Sequence, residues 1–302
     1  MRILLLHQYF LEEGDFGGSR FNEMAAQWSE SAEVTVLAGM MHANGNEKRQ
    51  EYKGKRFIRK QQGKVNVIRC HVSENYNKGF LGRLWGYFSF MFSSFWAGLF
   101  LAKGKYDVIL VTSPPLFVGI SGVLISKLKR IPLVFEIRDL WPESAIDTGV
   151  LTNNLVIKLA LWVEGWIYKN SSKINVLTPA FKRTLVEKKR INEDKIWYIP
   201  NACDFRLAEK VLSSNNRNQL RESLGWTNKF VITYVGAHGI ANHLDQIIDA
   251  AANIKDDRVL INLIGDGMQK EHLKKLAQSL KVSNVVFYDP VPKEEVFKYI
   301  MG

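Results

Sequence analysis

The chain has 302 residues, of which 46% are hydrophobic, and its 41 Lys and Arg against 30 Asp and Glu give a net charge of +11. This length is enough for two ordinary domains, and the apolar content excludes a disordered or fibrous protein. The positive charge favours an anionic partner, which can be a nucleic acid, an anionic lipid surface or a phosphate-bearing substrate. The N-terminal apolar run is too short for a secretion signal and is typical of a first strand.

The first two thirds of the chain alternate between strand-like and helix-like segments. This alternation predicts βαβ units, and therefore a doubly wound parallel sheet of the α/β class. The predicted strands are residues 2–9, 34–38, 66–72, 107–112, 132–138 and 173–177, and the predicted helices are residues 21–31, 80–102, 117–129, 154–169 and 181–189.

A second alternating series follows a polar segment rich in Asn, Ser and Arg. We therefore predict a first domain at residues 1–204, a connection at 205–228 and a partial second domain at 229–302. Because three strands make a small sheet, we expect the sequence to be cut short within its second domain. Its predicted strands are residues 230–235, 259–264 and 285–288, and its predicted helices are residues 243–253 and 268–280.

Eight Lys and Arg residues crowd residues 48–64, a polar segment with the composition of a loop. A solvated insertion and a surface for anionic headgroups are equally compatible with this pattern.

Residues 84–102 carry no charge, and this length is close to the ~20 residues that span a bilayer. We reject a full span, because the strands on either side must pair within one sheet. The bulky aromatic side chains of this segment share one helix face. That face either packs in the core or dips into the interface of an anionic leaflet. In the second case the predicted membrane contacts are Arg83, Trp85, Phe88, Phe92, Phe95, Trp96 and Lys103.

The stretch at residues 134–144 organises the prediction of a site. An apolar run stops abruptly at Arg138 and Asp139, and Pro142 prevents simple continuation of the strand. In open α/β sheets the ligand crevice lies beyond the carboxyl ends of the strands. Charged residues at this strand end are therefore candidate site residues.

Glycines follow the predicted strands at three places. Gly17 and Gly18 come after the first strand, Gly236 follows the strand at 230–235, and Gly265-Asp266-Gly267 follows the next. Such glycines allow a ligand to approach the backbone, and free N–H groups at a helix start favour an anion such as a diphosphate. Plain turns are equally compatible with each one alone. Two glycine edges, one per domain, predict a ligand held between the domains.

Other chemistries find little support in the sequence. The six His residues are scattered, and no His/Cys cluster has zinc spacing. A Gly-x-Ser-x-Gly elbow is absent, which excludes the usual α/β-hydrolase arrangement. The basic residues lie apart from any recognition helix, so nucleic-acid binding is disfavoured.

Several motifs occur in an order that resembles a known family. They are Gly17-Gly18, Thr112-Ser113-Pro114-Pro115, the stretch from Phe135 to Ser144, the run from Ile199 to Asp204, Gly236-Ala237-His238-Gly239 and Gly265-Asp266-Gly267. Together they resemble the family-4 retaining glycosyltransferases of the GT-B fold, in particular the bacterial N-acetylfucosaminyl-type transferases of O-antigen and capsule assembly. The Arg-Asp-Leu-Trp-Pro-Glu-Ser match is the most specific part.

This resemblance implies two Rossmann-like domains that face a cleft, the first holding the acceptor and the second the nucleotide. The implied reaction moves a sugar, UDP-linked HexNAc or deoxy-HexNAc, to a polyprenyl-diphosphate-linked or glycan acceptor. No metal or other cofactor is implied. The implied location is cytoplasmic, peripheral on the inner face of the cell membrane.

The resemblance also implies roles for individual residues. Arg138 occupies the place where many relatives have a His near the donor sugar, and Asp139 would orient a hydroxyl; these two are the catalytic candidates. The implied donor or diphosphate contacts are Gly17, Gly18, Gly236, His238, Asn242, Gly265, Asp266 and Gly267, and the implied acceptor-side residues are Ser19, Arg20, Ser113, Trp141 and Glu143.

Two departures from the family pattern are evident. Where many relatives carry an Arg and a Lys to clamp the diphosphate, this sequence offers His238, Asn242 and His243. The family's Glu-x7-Glu pair lies beyond Gly302, so we expect the chain as given to be unable to turn over. An epimerase or hydrolase of the same fold, and a non-catalytic membrane partner, remain as alternatives.

Overall fold

A computed structural model of the chain describes residues 1–12, 15, 20–40, 50–77, 79–202 and 205–302, without the side chains of residues 76, 77, 79–81 and 83. Two compact units make up this part of the chain, the first ending at Ala202 and the second running to Gly302.

The first unit is built on a sheet of eight strands in the order β3-β4-β2-β1-β5-β6-β7-β8. All neighbouring strands are parallel except β3, which pairs antiparallel with β4 at one edge. The predicted parallel α/β sheet is thereby confirmed, with one added antiparallel strand. The strands are β1 (Arg2–His7), β2 (Glu33–Gly39), β3 (Phe57–Gln62), β4 (Val65–Cys70), β5 (Val108–Ser113), β6 (Leu133–Ile137), β7 (Lys173–Val176) and β8 (Ile196–Tyr198).

Helices cover both faces of this sheet. Phe21 and Ala25 of α1 pack with alternate residues of the central strands, such as Leu5 and Val36, on one face. The larger core lies on the other face, beneath helices that include α2, α3 and α5. The helices are α1 (Arg20–Trp28), α2 (Gly79–Trp96), α3 (Val118–Lys129), α4 (Glu143–Asp147), α5 (Asn154–Asn170) and α6 (Pro179–Glu187).

The basic segment at residues 48–64 differs from the predicted loop, because β3 lies within it. Lys60 of β3 forms ion pairs with Glu12 at 2.8 Å and Glu51 at 2.7 Å. The buried Tyr52 hydroxyl donates to the same Glu12 carboxylate, and burial together with that carboxylate raises the pKa of Tyr52 to about 12. Part of the basic charge is therefore neutralised internally rather than presented to a partner.

Helix α2 and the π-helical turn after it, Ala97–Leu101, pack on the sheet and on α3. Residues 84–101 are long and apolar enough to cross a membrane, and one third of that window is buried in the protein. Ser93 and Ala97 of this window are buried. A Cβ at Gly98 would overlap Ile125 of α3, so this glycine permits the close approach of the two helices.

The second unit has a three-stranded parallel sheet in the order β11-β10-β9. Residues 205–228, predicted as a connection, contain two helices and belong to this unit, where the buried Trp226 ring packs on Tyr299. The strands are β9 (Phe230–Val235), β10 (Val259–Ile264) and β11 (Val285–Tyr288), and the helices are α7 (Phe205–Ser214), α8 (Arg217–Ser223), α9 (Asp245–Asn253), α10 (Lys270–Ser279) and α11 (Lys293–Met301).

Candidate functional site

The stretch after β6 lies at the carboxyl edge of the first sheet, as predicted. The Arg138 backbone N–H donates to the carbonyl of Ser113 at the end of β5, at 3.2 Å. Asp139 accepts a hydrogen bond on Oδ2 from the Ser144 hydroxyl at 2.8 Å. The two catalytic candidates and Ser113 are thus brought together where β5 and β6 end.

A buried acidic residue, Glu136, connects this edge to α1. Arg20 Nη1 pairs with Glu136 Oε1 at 2.5 Å, and Asn175 of β7 donates to Glu136 Oε2 at 2.9 Å. Burial raises the pKa of Glu136, while the charge of Arg20 and the bond from Asn175 oppose that rise. Arg20, predicted on the acceptor side, therefore lies beside the strand end that carries Arg138.

Short helix α4 is held by charged side chains. The Lys189 ammonium, just after α6, contacts Glu143 of α4 and also Glu164 of α5, the latter at 2.5 Å. Tyr168 donates to the other oxygen of Glu164 at 2.8 Å. Glu143, predicted to face an acceptor, is therefore engaged in a contact between helices. Burial raises the pKa of Glu164, and its bond to Lys189 limits the rise.

Trp141 packs into an aromatic chain instead of standing free. Its ring lies edge-on to Phe117 at 5.8 Å between centroids, and Phe117 in turn contacts Phe88 of α2 at 4.7 Å. Phe88 and Phe95, predicted as membrane contacts, are partly buried within the protein. Their side of α2 faces α3 and the core, whereas Trp85, Phe92 and Trp96 are exposed.

The carboxyl edge of the second sheet is built from backbone. The Gly236 N–H donates to the carbonyl of Ile264 at 3.0 Å, and the His238 N–H donates to that of Asp266 at 2.8 Å. A Cβ at Gly265 would overlap the Gly236 carbonyl oxygen, and one at Gly267 would lie 2.5 Å from the His238 carbonyl oxygen. The predicted donor residues after β9 and β10 are thus brought together, and glycine is required for their close approach.

Two titratable side chains support this glycine edge. Lys270 is buried and donates to the carbonyls of Gly265 and Tyr288 and to Asp289, at 2.9, 3.0 and 2.7 Å. His238 is fully buried, and neither ring nitrogen has a hydrogen-bond partner in the part of the chain that the structure describes. Burial lowers the pKa of His238, as does the nearby Lys270 charge.

Asn242 lies slightly apart from the glycines. It is exposed at the end of a 3₁₀ turn, Ile240–Asn242. A neighbouring cavity of about 170 Å³ is lined by residues of this turn and of the first turns of α9 and α10. Among them are Gly239, His243, Gln269 and His272.

Some predicted contacts cannot be placed. Gly17, Gly18, Ser19 and the side chain of Arg83 lie outside the described residues. Within the ranges that the structure covers, no group of three or more His, Cys, Asp or Glu residues has the arrangement of a metal site.

The sequence analysis missed Glu136, Lys270 and His7 as site residues. Glu136 interrupts an apolar strand, and Lys270 opens a helix where a positive charge is unfavourable. Each is a local conflict between residue type and predicted environment. His7, at the end of β1, is buried with Nδ1 unpartnered among the residues described.

Solved structures share this architecture. Anabaena HepE, in complex with UDP-glucose, is 18% identical with a TM-score of 0.64, covering 99% of this chain and 71% of that chain. WaaG, a glycosyltransferase of lipopolysaccharide biosynthesis, is 16% identical with a TM-score of 0.63, covering 99% and 72%. At these identities the likeness shows the fold alone. With its two Rossmann-like parallel sheets, the chain has the fold of the GT-B glycosyltransferases.

Family models then identify the chain more closely. A glycosyl transferase 4-like domain model matches residues 17–202, and a glycosyl transferases group 1 model matches residues 216–301. The chain belongs to the family-4 glycosyltransferases. Among curated proteins it is 26% identical over 288 residues to WcaI of Escherichia coli, a colanic acid biosynthesis glycosyl transferase, covering 92% of this chain and 69% of that protein. This chain is therefore a glycosyltransferase of glycan biosynthesis.

Proposed function

We propose that the chain transfers a sugar, with retention of configuration, from a UDP-linked HexNAc or deoxy-HexNAc to a lipid-linked or polysaccharide acceptor. The glycine edge of the second unit carries this proposal. At Gly236, Gly265 and Gly267 the carboxyl ends of β9 and β10 present backbone without side chains, which suits a diphosphate. The UDP-glucose bound by Anabaena HepE supports a uridine nucleotide as donor.

The catalytic need of such a transfer is electrostatic. The leaving nucleotide gains negative charge in the transition state, so fixed N–H groups and cations aimed at that charge lower the barrier. We assign Arg138 to this reacting region and Asp139 to the orientation of a substrate hydroxyl. The Ser144 hydroxyl, 2.8 Å from Asp139 Oδ2, fixes that carboxylate.

The donor assignment is tested by calorimetry with UDP, UMP and GDP. We expect UDP to bind about tenfold or more tightly than UMP, because charge-assisted hydrogen bonds to the second phosphate are lost in UMP, and more tightly than GDP. Gly267→Ala is expected to weaken UDP binding because its Cβ lies against the His238 carbonyl. Gly165→Ala in α5, where a Cβ meets no described atom within 4 Å, is the matched control. Equal affinity for UDP and UMP would remove the diphosphate assignment.

Retention of configuration is tested on the product of transfer from a UDP-HexNAc by the chain extended with the family's Glu-x7-Glu segment. We expect the anomeric proton of the new linkage to show, by NMR, the same configuration as in the donor. An inverted linkage would contradict the retaining mechanism.

We also propose that the first unit seats on the anionic inner leaflet. The outward faces of α2, α3 and α5 carry exposed apolar side chains where a soluble α/β layer is normally polar. Trp85 and Trp96 are 57% and 55% exposed, and Leu155 and Trp162 are 80% and 65% exposed. We call this the apolar helix surface; it consists of Trp85, Phe92, Trp96, Phe100, Leu124, Leu128, Leu155, Leu159 and Trp162.

Charge complementarity favours an anionic bilayer as its partner. Exposed cations lie on the same helices or just beyond their ends: Lys103 after α2, Lys127 and Arg130 at the end of α3, and Lys158 on α5. Aromatic and leucine side chains that enter the interface, with cations at the headgroups, are the recognised pattern of a peripheral membrane surface.

Vesicle sedimentation tests this partner with neutral and anionic phospholipid. We expect the protein to bind anionic vesicles. Leu159→Glu/Trp162→Glu should weaken this binding about tenfold or more, because two apolar side chains that enter the leaflet are replaced by charges that the leaflet repels. Leu212→Glu on α7 of the second unit, also an exposed apolar residue, serves as the control. Unchanged sedimentation of the double variant would contradict the proposal.

A further inference from the structure

A row of polar side chains crosses the carboxyl edge of the first sheet. Thr112 of β5 is in register with Glu136 of β6, and Glu136 with Asn175 of β7. Leu6 pairs with Val111, so the next residue of each strand, His7 and Thr112, continues the row. Residues in register on parallel strands share a face of the sheet. All four polar residues are buried, and buried polar groups are costly unless they are hydrogen-bonded.

One half of this row is satisfied within the protein. Glu136 receives Arg20 on one oxygen and Asn175 on the other. The Asn175 side-chain oxygen accepts from the Ile199 N–H at 3.1 Å. Both Glu136 oxygens and both polar atoms of the Asn175 side chain are therefore hydrogen-bonded.

The other half is not satisfied. His7 Nδ1, Thr112 Oγ1 and Arg138 Nε are buried, and none has a hydrogen-bond partner within the described ranges. A buried polar group without a hydrogen-bond partner destabilises the folded protein. Because Arg138 lies two residues beyond Glu136, its side chain starts from the same face of the sheet as the row. The three unpartnered groups therefore belong to one place in the fold.

Within the described residues Arg138 forms no ion pair. Glu136, whose charge acts on Arg138, is already paired with Arg20. Burial lowers the pKa of His7 well below its ordinary value, and the charge of Arg138 lowers it further, so His7 adds no charge at neutral pH. An anion with several acceptor oxygens satisfies the three groups and balances the charge of Arg138.

We propose that His7, Thr112 and Arg138 together bind a phosphate oxyanion of a substrate. The imidazole Nδ1–H, the hydroxyl and the guanidinium donate, and the phosphate oxygens accept. The inference deepens the proposed function, on which it rests, because the proposed donor and the proposed lipid-linked acceptor both carry a diphosphate. His7 and Thr112 become substrate contacts, and Glu136 is the positioning residue that holds Arg20 beside them.

Pyrophosphate binding to the 302-residue chain, measured by calorimetry, tests the site. Arg138→Gln should weaken binding about tenfold or more, the effect of losing a charge-assisted hydrogen bond. Arg183→Gln on α6, which removes an exposed arginine of the same unit, should leave binding unchanged. Equal affinities in the two variants would overturn the proposal.

Thr112→Val separates a binding role from a structural one. The substitution removes a hydroxyl that has no described partner while keeping the shape of the side chain. We expect the free protein to be as stable as the wild type or more stable, while pyrophosphate binds more weakly. A destabilised Thr112→Val that binds pyrophosphate like the wild type would show a structural hydroxyl and overturn the assignment.

Competition identifies which substrate supplies the phosphate. Displacement of pyrophosphate by UDP assigns the site to the donor, and displacement by farnesyl diphosphate assigns it to a lipid-linked acceptor; either supports the proposal. A chain that binds pyrophosphate through Arg138 but binds no UDP would keep this inference and lose the proposed donor. If the chain binds UDP but Arg138→Gln leaves pyrophosphate binding unchanged, the proposed donor is kept and this inference is lost.

Discussion

The two sheets end their strands in contrasting ways. At the carboxyl edge of the first sheet, the charges of Glu136 and Arg138 are buried or half-buried at the end of β6, and Arg20 of α1 pairs with Glu136. At the same edge of the second sheet, Gly236 and Gly265 leave only backbone there. One edge offers directed side-chain charge, and the other offers close approach to amide groups.

This contrast extends to what stabilises each edge. The first depends on ion pairs that bring helices together around the stretch after β6, as Lys189 does between Glu143 and Glu164. The second depends on backbone hydrogen bonds between neighbouring turns, which only glycine allows to approach so closely. Disruption should therefore come from charge removal in the first unit and from added volume in the second.

Lys189→Met should have the largest effect on stability. It leaves Glu164, whose side chain is 1% exposed, without its cation, and removing one partner of a buried pair costs about 3–5 kcal/mol. Chemical denaturation at pH 7 measures the loss. The pKa of Glu164 is already raised by burial, so the penalty should shrink as pH falls toward 4.5, where the carboxyl can bind a proton in the folded state.

A matched control lies on α6. Lys182 pairs at 2.6 Å with Glu193, whose side chain is 66% exposed, so Lys182→Met should cost far less stability than Lys189→Met. The double variant Lys189→Met/Glu164→Gln should recover part of the loss. Equal penalties for Lys182→Met and Lys189→Met would mean that the first edge does not depend on buried charge.

Gly265→Ala should have the next largest effect. Gly265 has a φ of +144°, and the new Cβ would overlap the Gly236 carbonyl oxygen. Strain and overpacking together cost about 3 kcal/mol. The loss is read from denaturation of the chain, and UDP binding should be lost with it.

Gly225→Ala separates conformational strain from contact. Gly225 also has a positive φ, +70°, but a Cβ there would meet no described atom within 4 Å. We expect about 1 kcal/mol for strain alone. If the two alanine variants were equally destabilised, the interlocked glycine edge would contribute nothing beyond backbone conformation.

Much of this fold follows from local patterns in the sequence. The alternation of apolar strands with helices predicts every parallel strand of the first sheet except the three-residue β8, whose short run Ile196–Tyr198 carries exposed side chains. The antiparallel β3 was missed because four of its six residues, Arg59 to Gln62, are polar. Only the fold reveals that Glu12 and Glu51 neutralise Lys60.

In the candidate site, too, local sequence patterns predict some residues, whereas contacts between distant residues appear only in the fold. Arg138 and Asp139 are evident from an apolar run that stops at charges. The pairing of Arg20 with Glu136 joins residues 116 positions apart, and no local pattern encodes such a contact. The partial burial of Phe88 likewise depends on Phe117, which a helical wheel of α2 does not contain.

The two buried histidines give the closest comparison of the two edges. Burial lowers the pKa of His7 well below 6.5 and lowers that of His238 to a lesser degree, since Asp266 opposes the shift at His238. Below pH 6.5 the imidazole of the unfolded chain binds a proton that the buried ring does not bind. The free energy of unfolding therefore decreases as the pH falls, by at most about 1.4 kcal/mol per pH unit for one ring.

Replacing each histidine by Phe isolates its share of this fall. His7→Phe should remove the larger share of the loss of stability below pH 6.5, measured by urea unfolding at each pH. His238→Phe should remove less, and its effect should end at a higher pH, because the pKa of His238 is lowered less. If instead the two variants reduced the pH dependence of stability equally, the two edges would disfavour histidine protonation to the same extent. The contrast between the edges would then lie in their ligand contacts alone.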